Sequence, residues 1–232
     1  MRFQDAAPDA RAIVYAGIQA DSLVARAAGL LADATYEQRL LARAVMNGES
    51  TDPTAWRAMF PSLFDGSEDS AGAPTRRDVE RSEAILAASL AVADRGEQAR
   101  SQYRGAIVES LTEALLRRSH GEAGPTAVRR ERRVLFDGVR AEIHPYDVTV
   151  EVAGSAAAVD CKWGARGISA DVLHQLEDAR SHAAEEDESL AVTLVVFDAQ
   201  RSCDVRLDRQ TAPHEGTRLV SIESLDELAA SR

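Results

Sequence analysis

Asp147-Val148-Thr149-Val150-Glu151-Val152-Ala153-Gly154-Ser155-Ala156-Ala157-Ala158-Val159-Asp160-Cys161-Lys162 is the stretch that decides the fold. Its first six residues alternate polar and apolar, which is the period of a half-buried strand. Ala153-Gly154-Ser155 then reads as a tight turn, and 156–162 as the returning strand. Alternation puts Asp160 and Lys162 on one face of that strand, with Val159 and Cys161 on the other. On the outgoing strand Asp147, Thr149 and Glu151 share one face, and Val148, Val150 and Val152 the opposite one. If paired residue numbers sum to 307, Val148 faces Val159, Asp147 faces Asp160, and Ala153-Gly154 forms a two-residue loop. An even sum would set valines opposite Asp160 and Lys162 and bury charge against the core, so desolvation selects the odd register.

Lys162 is the sole lysine among 27 basic residues, the rest being arginine, as expected of a GC-rich genome. A chain that keeps an ammonium at one position uses a compact charge with a tunable pKa where a planar, permanently charged fork would not serve.

The flanking sequence supplies the rest of an α/β unit. Alanine-rich segments with recurring apolar positions predict helices over 9–34 and 35–46, a short helix over 56–60, and longer helices over 76–94 and 98–119. Residues 133–136, 190–197 and 218–222 read as strands, the second apolar enough to be covered on both faces. A helix over 169–184 starts at Ser169 as N-cap, and a last helix spans 225–230. The polar, small-residue stretch Asp65 to Pro74 reads as a linker. The expected organisation is an α-helical region over 1–74, a connecting helix over 75–95, and an α/β domain over 96–232. The helical region holds many apolar positions but no convergent polar set, so partner binding or self-association is its expected role.

Net charge is −11 over 232 residues, which argues against a free-standing nucleic-acid binder held by phosphate contacts alone and for a protein partner or homo-oligomer. The charge is uneven. Residues 100–140 hold nine arginines against five acids, a basic strip that reads as a phosphate track or as a solvated helix and loop. There is no apolar run of membrane-spanning length and no secretion signal at the N-terminus. Cys161 and Cys203 fit no CxxC pattern, so a reduced, cytoplasmic protein is expected. No HExxH, GxSxG, GxxxxGK[ST] or GxGxxG occurs, which leaves zinc-protease, serine-hydrolase, P-loop and dinucleotide readings without support.

Two carboxylates brought together would repel unless a cation lay between them. Hard ions such as Mg2+ take one or two carboxylates plus water and substrate phosphate, and a nearby lysine can orient a bound water and offset charge building up on phosphate oxygens. With Pro145-Tyr146-Asp147 followed by Asp160-Cys161-Lys162, the chain resembles the PD-(D/E)xK nucleases, the restriction-endonuclease-like superfamily, over about residues 98–200. The resemblance implies a core of helix, three-strand meander, helix and strand, and a Mg2+-dependent nuclease, with Mn2+ able to substitute, that hydrolyses DNA phosphodiester bonds. Restriction, anti-phage defence and repair are the settings typical of such proteins. It also implies that Asp147, Asp160 and the Cys161 backbone carbonyl hold the metal, with Lys162 positioning the water. Glu109, at the edge of an apolar helix face, is the expected third acidic ligand and catalytic residue. Gln175, Arg104 and Trp163 are candidate substrate contacts; Trp163 also fits a cap on the sheet end, and His174 a plain surface position. A non-catalytic interaction subunit that keeps the fold is the competing expectation.

Overall fold

The computed structural model describes residues 1–6, 10–65, 74–121, 124–136, 139–140, 144–153 and 155–230. Most of the expected linker and Gly154 of the expected hairpin loop lie outside these residues. The chain divides into two units, residues 13–111 and residues 1–12 with 112–232. The division therefore falls at 12/13 and 111/112, away from the expected boundaries at 74 and 96.

The first unit is helical. It holds most of α1 (Ala10–Gln19), α2 (Ser22–Ala32), α3 (Tyr36–Asn47), α4 (Pro53–Met59), α5 (Arg76–Ala93) and the first part of α6 (Glu97–Ser119). The single helix expected over 9–34 is broken because Asp21 acts as an N-cap, its carboxylate accepting the Leu23 N–H at 2.8 Å. Capping boxes start α3 at Thr35–Gln38 and α5 at Thr75–Asp78. Helix α5 packs on α2 and α3, so it belongs to this core and is not a connector. Val24, Leu31, Leu41, Val45, Ile85, Leu86 and Val92 bury their side chains almost completely.

The second unit is α/β around a mixed seven-stranded sheet. Its strands are β1 (Arg2–Asp5), β2 (Val128–Phe136), β3 (Val139–Arg140), β4 (Tyr146–Val152), β5 (Ser155–Lys162), β6 (Leu190–Val196) and β7 (Thr217–Val220). Their order across the sheet is β1-β2-β4-β5-β6-β7, with β3 beside β2. Pairing is antiparallel from β1 to β5 and parallel from β5 to β7. The parallel steps need crossovers, supplied by α8 (Ala170–Glu185) and α9 (Gln200–Leu207). Ser169 caps α8 as expected. The segment expected as a last helix is a 3-10 turn over Leu225–Leu228.

The β4–β5 register is the odd one: Val148 pairs with Val159 and Val152 with Ser155. Along β6, Val192, Leu194 and Val196 join Ala158, Tyr146 and the α8 residues Leu173, Leu176 and Ala179 in one buried cluster. Helix α8 thus covers the face of the sheet that carries the even-numbered residues of β5. On the opposite face Cys161 Sγ donates to Thr112 Oγ1 of α6 at 3.5 Å.

Candidate active site

Lys162 ends β5 at the carboxyl edge of the parallel part of the sheet, where ligands of open α/β sheets bind. Its Nζ donates to Asp160 Oδ1 at 2.5 Å. Alternation along β5 gives the two side chains a common face, and the Lys162 side chain keeps 26% of its exposure. Burial pulls the ammonium toward neutrality, but the charges of Asp160 and Asp147 outweigh it and hold the Lys162 pKa above the ordinary lysine value. The neighbouring carboxylates thus favour the protonated ammonium.

Asp147 joins this cluster by a different route from the one expected. The β4–β5 ladder ends at Val148↔Val159, so Asp147 does not face Asp160 as a ladder pair. Its Oδ2 accepts the Cys161 N–H at 2.6 Å, in the place a β4 carbonyl would have taken. The neighbouring strand is irregular at the same level. In β2, Glu131 has φ 52°, and the β2–β4 register pairs Arg130 with Val148 and Arg132 with Tyr146, leaving out Glu131 and Asp147. Alternation breaks at that point. Tyr146 enters the α8 core and gives its hydroxyl proton to the Gln175 carbonyl at 3.1 Å, while Val148 points with Val159 to the α6 face. Asp147, between them, reaches sideways along the sheet to β5.

N–H and C=O of one strand residue point to the same side. The Lys162 carbonyl accepts the Phe197 N–H at 2.8 Å, on the β6 side. The Cys161 carbonyl consequently lies on the Asp147 side. Two carboxylates and a backbone carbonyl, all hard oxygen donors, thus border one strand end. That set suits an ion such as Mg2+, which keeps waters and shares its ligands with a substrate phosphate.

Glu109 has a different environment. It is buried in the helical unit, where Tyr15 donates its hydroxyl to Oε1 at 2.5 Å and Gln19 its amide to Oε2 at 2.7 Å. Tyr15 and Gln19 are four residues apart on α1 and so share a face, which is the convergent polar set that the composition of this region did not reveal. Among the described residues no group of three or more His, Cys, Asp or Glu side chains is arranged to hold a metal ion. Both oxygens of Glu109 are thus engaged inside the helical unit.

The candidate substrate contacts are engaged within the protein. Arg104 donates to Asn47 Oδ1 at 3.0 Å and pairs with Glu97, bonding the C-terminal end of α3. Gln175 Nε2 donates to the His144 carbonyl at 3.2 Å, bracing the entry to β4. Trp163 stacks on Phe197 with ring centroids 4.9 Å apart, the capping alternative. His174 is exposed on α8. Five of the nine arginines of the basic strip are engaged in ion pairs: Arg100 and Arg104 with Glu97, Arg117 and Arg130 with Glu113, and Arg132 with Asp5 and Glu151.

Asp198, which sequence reasoning passed over, is buried at the end of β6. Its Oδ2 accepts the Ala165 N–H at 3.0 Å and its Oδ1 the Ala199 N–H at 2.8 Å. An aspartate closing the apolar run 190–197 was the available signal. A separate cavity of about 340 Å3 lies on the α6 face, over Val150, Ala157, Val159 and Ala191. Its rim groups are paired, Ser119 and His120 with the Leu116 carbonyl and Arg218 with Glu227, and it faces away from Asp160 and Lys162.

No protein-family model matches the chain, and no curated protein matches it. Among solved structures it is similar to the crystal structure of protein VC1899 from Vibrio cholerae, with 18% sequence identity and a TM-score of 0.50. The likeness covers 98% of this chain and 56% of that one, so the chain spans little more than half of VC1899. At this identity it speaks for the fold alone. No helix among the described residues is long and apolar enough to cross a membrane.

Proposed function

We propose that the chain is a metal-dependent nuclease of the PD-(D/E)xK kind that hydrolyses DNA phosphodiester bonds. The observation that carries this reading is the grouping of Asp147, Asp160 and the charged Lys162 at the end of β5. The order α6, β2, β4, β5, α8, β6 supports a restriction-endonuclease-like core, with β3 as an addition beside β2. Asp147, Asp160 and the Cys161 carbonyl would hold Mg2+ or Mn2+. When bound, such an ion polarises the scissile phosphate and lowers the pKa of a coordinated water. Lys162 would orient the attacking water and offset negative charge developing on the phosphate oxygens. Glu109 is left out of the ligand set, because both its oxygens already accept protein hydrogen bonds.

A second reading, a non-catalytic subunit that keeps the fold, is favoured by the paired arginines. A −11 chain in which five of the nine strip arginines are paired with its own acids would depend on a partner for stable contact with a polyanion. One experiment separates the two. Purified protein is incubated with linear duplex, single-stranded and RNA substrates, with Mg2+, with Mn2+ and with chelator, beside Lys162→Ala and Asp160→Asn. Metal-dependent cleavage lost in both variants supports the nuclease. Equal residual cleavage in all three proteins, or none under any condition, overturns it.

A further inference from the structure

We infer that Gly167 is a positioning residue that sets the direction of the Lys162 side chain. The inference stands on the geometry of the lysine, and its bearing on catalysis rests on the function proposed above. A Cβ placed on Gly167 would lie 2.9 Å from Lys162 Cβ and 3.0 Å from both Cγ and Cδ. Real Cβ atoms essentially never approach other carbons more closely than this, so the hydrogen-only face of Gly167 lies flat against three successive carbons of the lysine stem.

Neither side of this contact can retreat freely. Lys162 is fixed from the sheet, by the bond from the Phe197 N–H to its carbonyl and by Trp163, the next residue, stacked on Phe197. Gly167 ends a 3-10 turn over Ala165–Gly167. Asp198 accepts the Ala165 N–H, the Gly167 N–H bonds the Gly164 carbonyl at 2.8 Å, and Arg206 Nε donates to the carbonyl of fully buried Ile168 at 2.9 Å. The turn is thereby tied to the end of β6 and to α9. A lysine side chain ordinarily samples many rotamers. Here the stem is pressed between a strand end and an anchored turn, and the ammonium is delivered to Asp160.

Gly164, in the same loop, is the matched control. A Cβ there would meet Asp198 Oδ2 at 3.5 Å, an ordinary contact. Because Lys162 is the sole lysine, protein labelled with 13C-lysine gives a single side-chain Cε–Hε cross-peak, a readout of lysine position that needs no activity. In Gly167→Ala we expect this peak to shift or broaden, and kcat to fall by roughly ten- to a hundredfold, the scale of a misplacement on the order of 1 Å. In Gly164→Ala the peak should stay in place. A folded Gly167→Ala protein whose lysine peak coincides with that of the wild type overturns the inference. If Gly167→Ala does not fold, the double variant Lys162→Gly/Gly167→Ala decides, with Lys162→Gly as its reference, since it removes all three stem carbons that the new Cβ would meet. Recovery of folding supports the contact, and failure to recover refutes it. A wild type without cleavage would refute the nuclease while leaving the lysine peak to judge this contact.

Discussion

Replacing Lys162 by arginine conserves charge and strand, and should nevertheless remove most of the cleavage. The wild-type ammonium sits 2.5 Å from Asp160 Oδ1, at the end of a stem already in contact with the Gly167 backbone. Arginine places a planar fork where lysine ends in a single atom. With the stem closed in by the anchored turn, the guanidinium must overshoot Asp160 or push the turn away from Asp198. Loss of one positioned electrostatic group costs about 3 kcal/mol of transition-state stabilisation, roughly a hundredfold or more in rate. Global stability should change much less, by about 1 kcal/mol or under, because the substitution is at a partly exposed strand end with no cavity formed. The assay is the initial rate of cleavage of linear duplex DNA at saturating Mg2+, with thermal melts of both proteins as control. A Lys162→Arg protein that melts like the wild type and cleaves within a factor of about three of its rate would refute the argument, and would make the lone lysine an accident of codon usage.

Glu109→Ala should lower stability by about 1 kcal/mol, because it removes an acceptor from the half-buried Tyr15 hydroxyl and Gln19 amide; urea melts measure this, and a tenfold loss of Mg2+ affinity in the folded variant would restore Glu109 as a ligand. Glu177 is buried, which favours its neutral form, but Arg180, Thr217 and the Gly216 N–H outweigh that and hold its pKa below the usual value. A depressed carboxylate contributes stability above its unfolded pKa and loses it as pH falls, so wild type should lose Tm faster than Glu177→Gln between about pH 5 and pH 3. Parallel pH profiles for the two proteins would contradict this. Arg166 is exposed on the turn that packs against Lys162; Arg166→Ala should weaken DNA binding and reduce the salt slope of log Kd by about one while leaving kcat unchanged. An unaltered slope in fluorescence-anisotropy titrations would show that the turn does not touch the backbone of the nucleic acid.

Much of the sheet was legible because burial acts on each residue separately. Valines at 148 and 159 cannot be exchanged with charged neighbours without burying a charge, and the pairing Val148↔Val159 follows. Ser169 as N-cap was legible for an equally local reason, its hydroxyl accepting the Val172 N–H. What escaped the sequence depends on partners far along the chain. Strand β1 (Arg2–Asp5) has no apolar alternation of its own and exists because β2 offers it an edge. Helix α9 buries only Cys203, too little to mark a periodic face. Alternation along β4 alone sets Asp147 opposite Asp160, but the pairing with β2 skips Asp147 and Glu131, the latter with φ 52°, and the Asp147 carboxylate goes to the Cys161 N–H instead.

The charge pattern shows the same limit more sharply. Counting along residues 100–140 finds a basic strip, and a basic strip suggests a track for phosphates. Ion pairing is decided by helix phase and strand facing, which a count does not contain. Arg100 and Arg104 both fall within reach of Glu97 because three and seven residues bring them to one helix face. Glu113 serves Arg117 from its own helix and Arg130 from β2. Arg130 and Arg132 would share a face in a regular strand; the break at Glu131 sends one to Glu113 and the other to Asp5 and Glu151. The irregularity level with Asp147 thus separates two arginines that the sequence would have grouped. On the reading proposed here, contact with a polyanion then falls to the end of β5, where Lys162 stands beside Asp160, and to the turn after it, which carries the exposed Arg166.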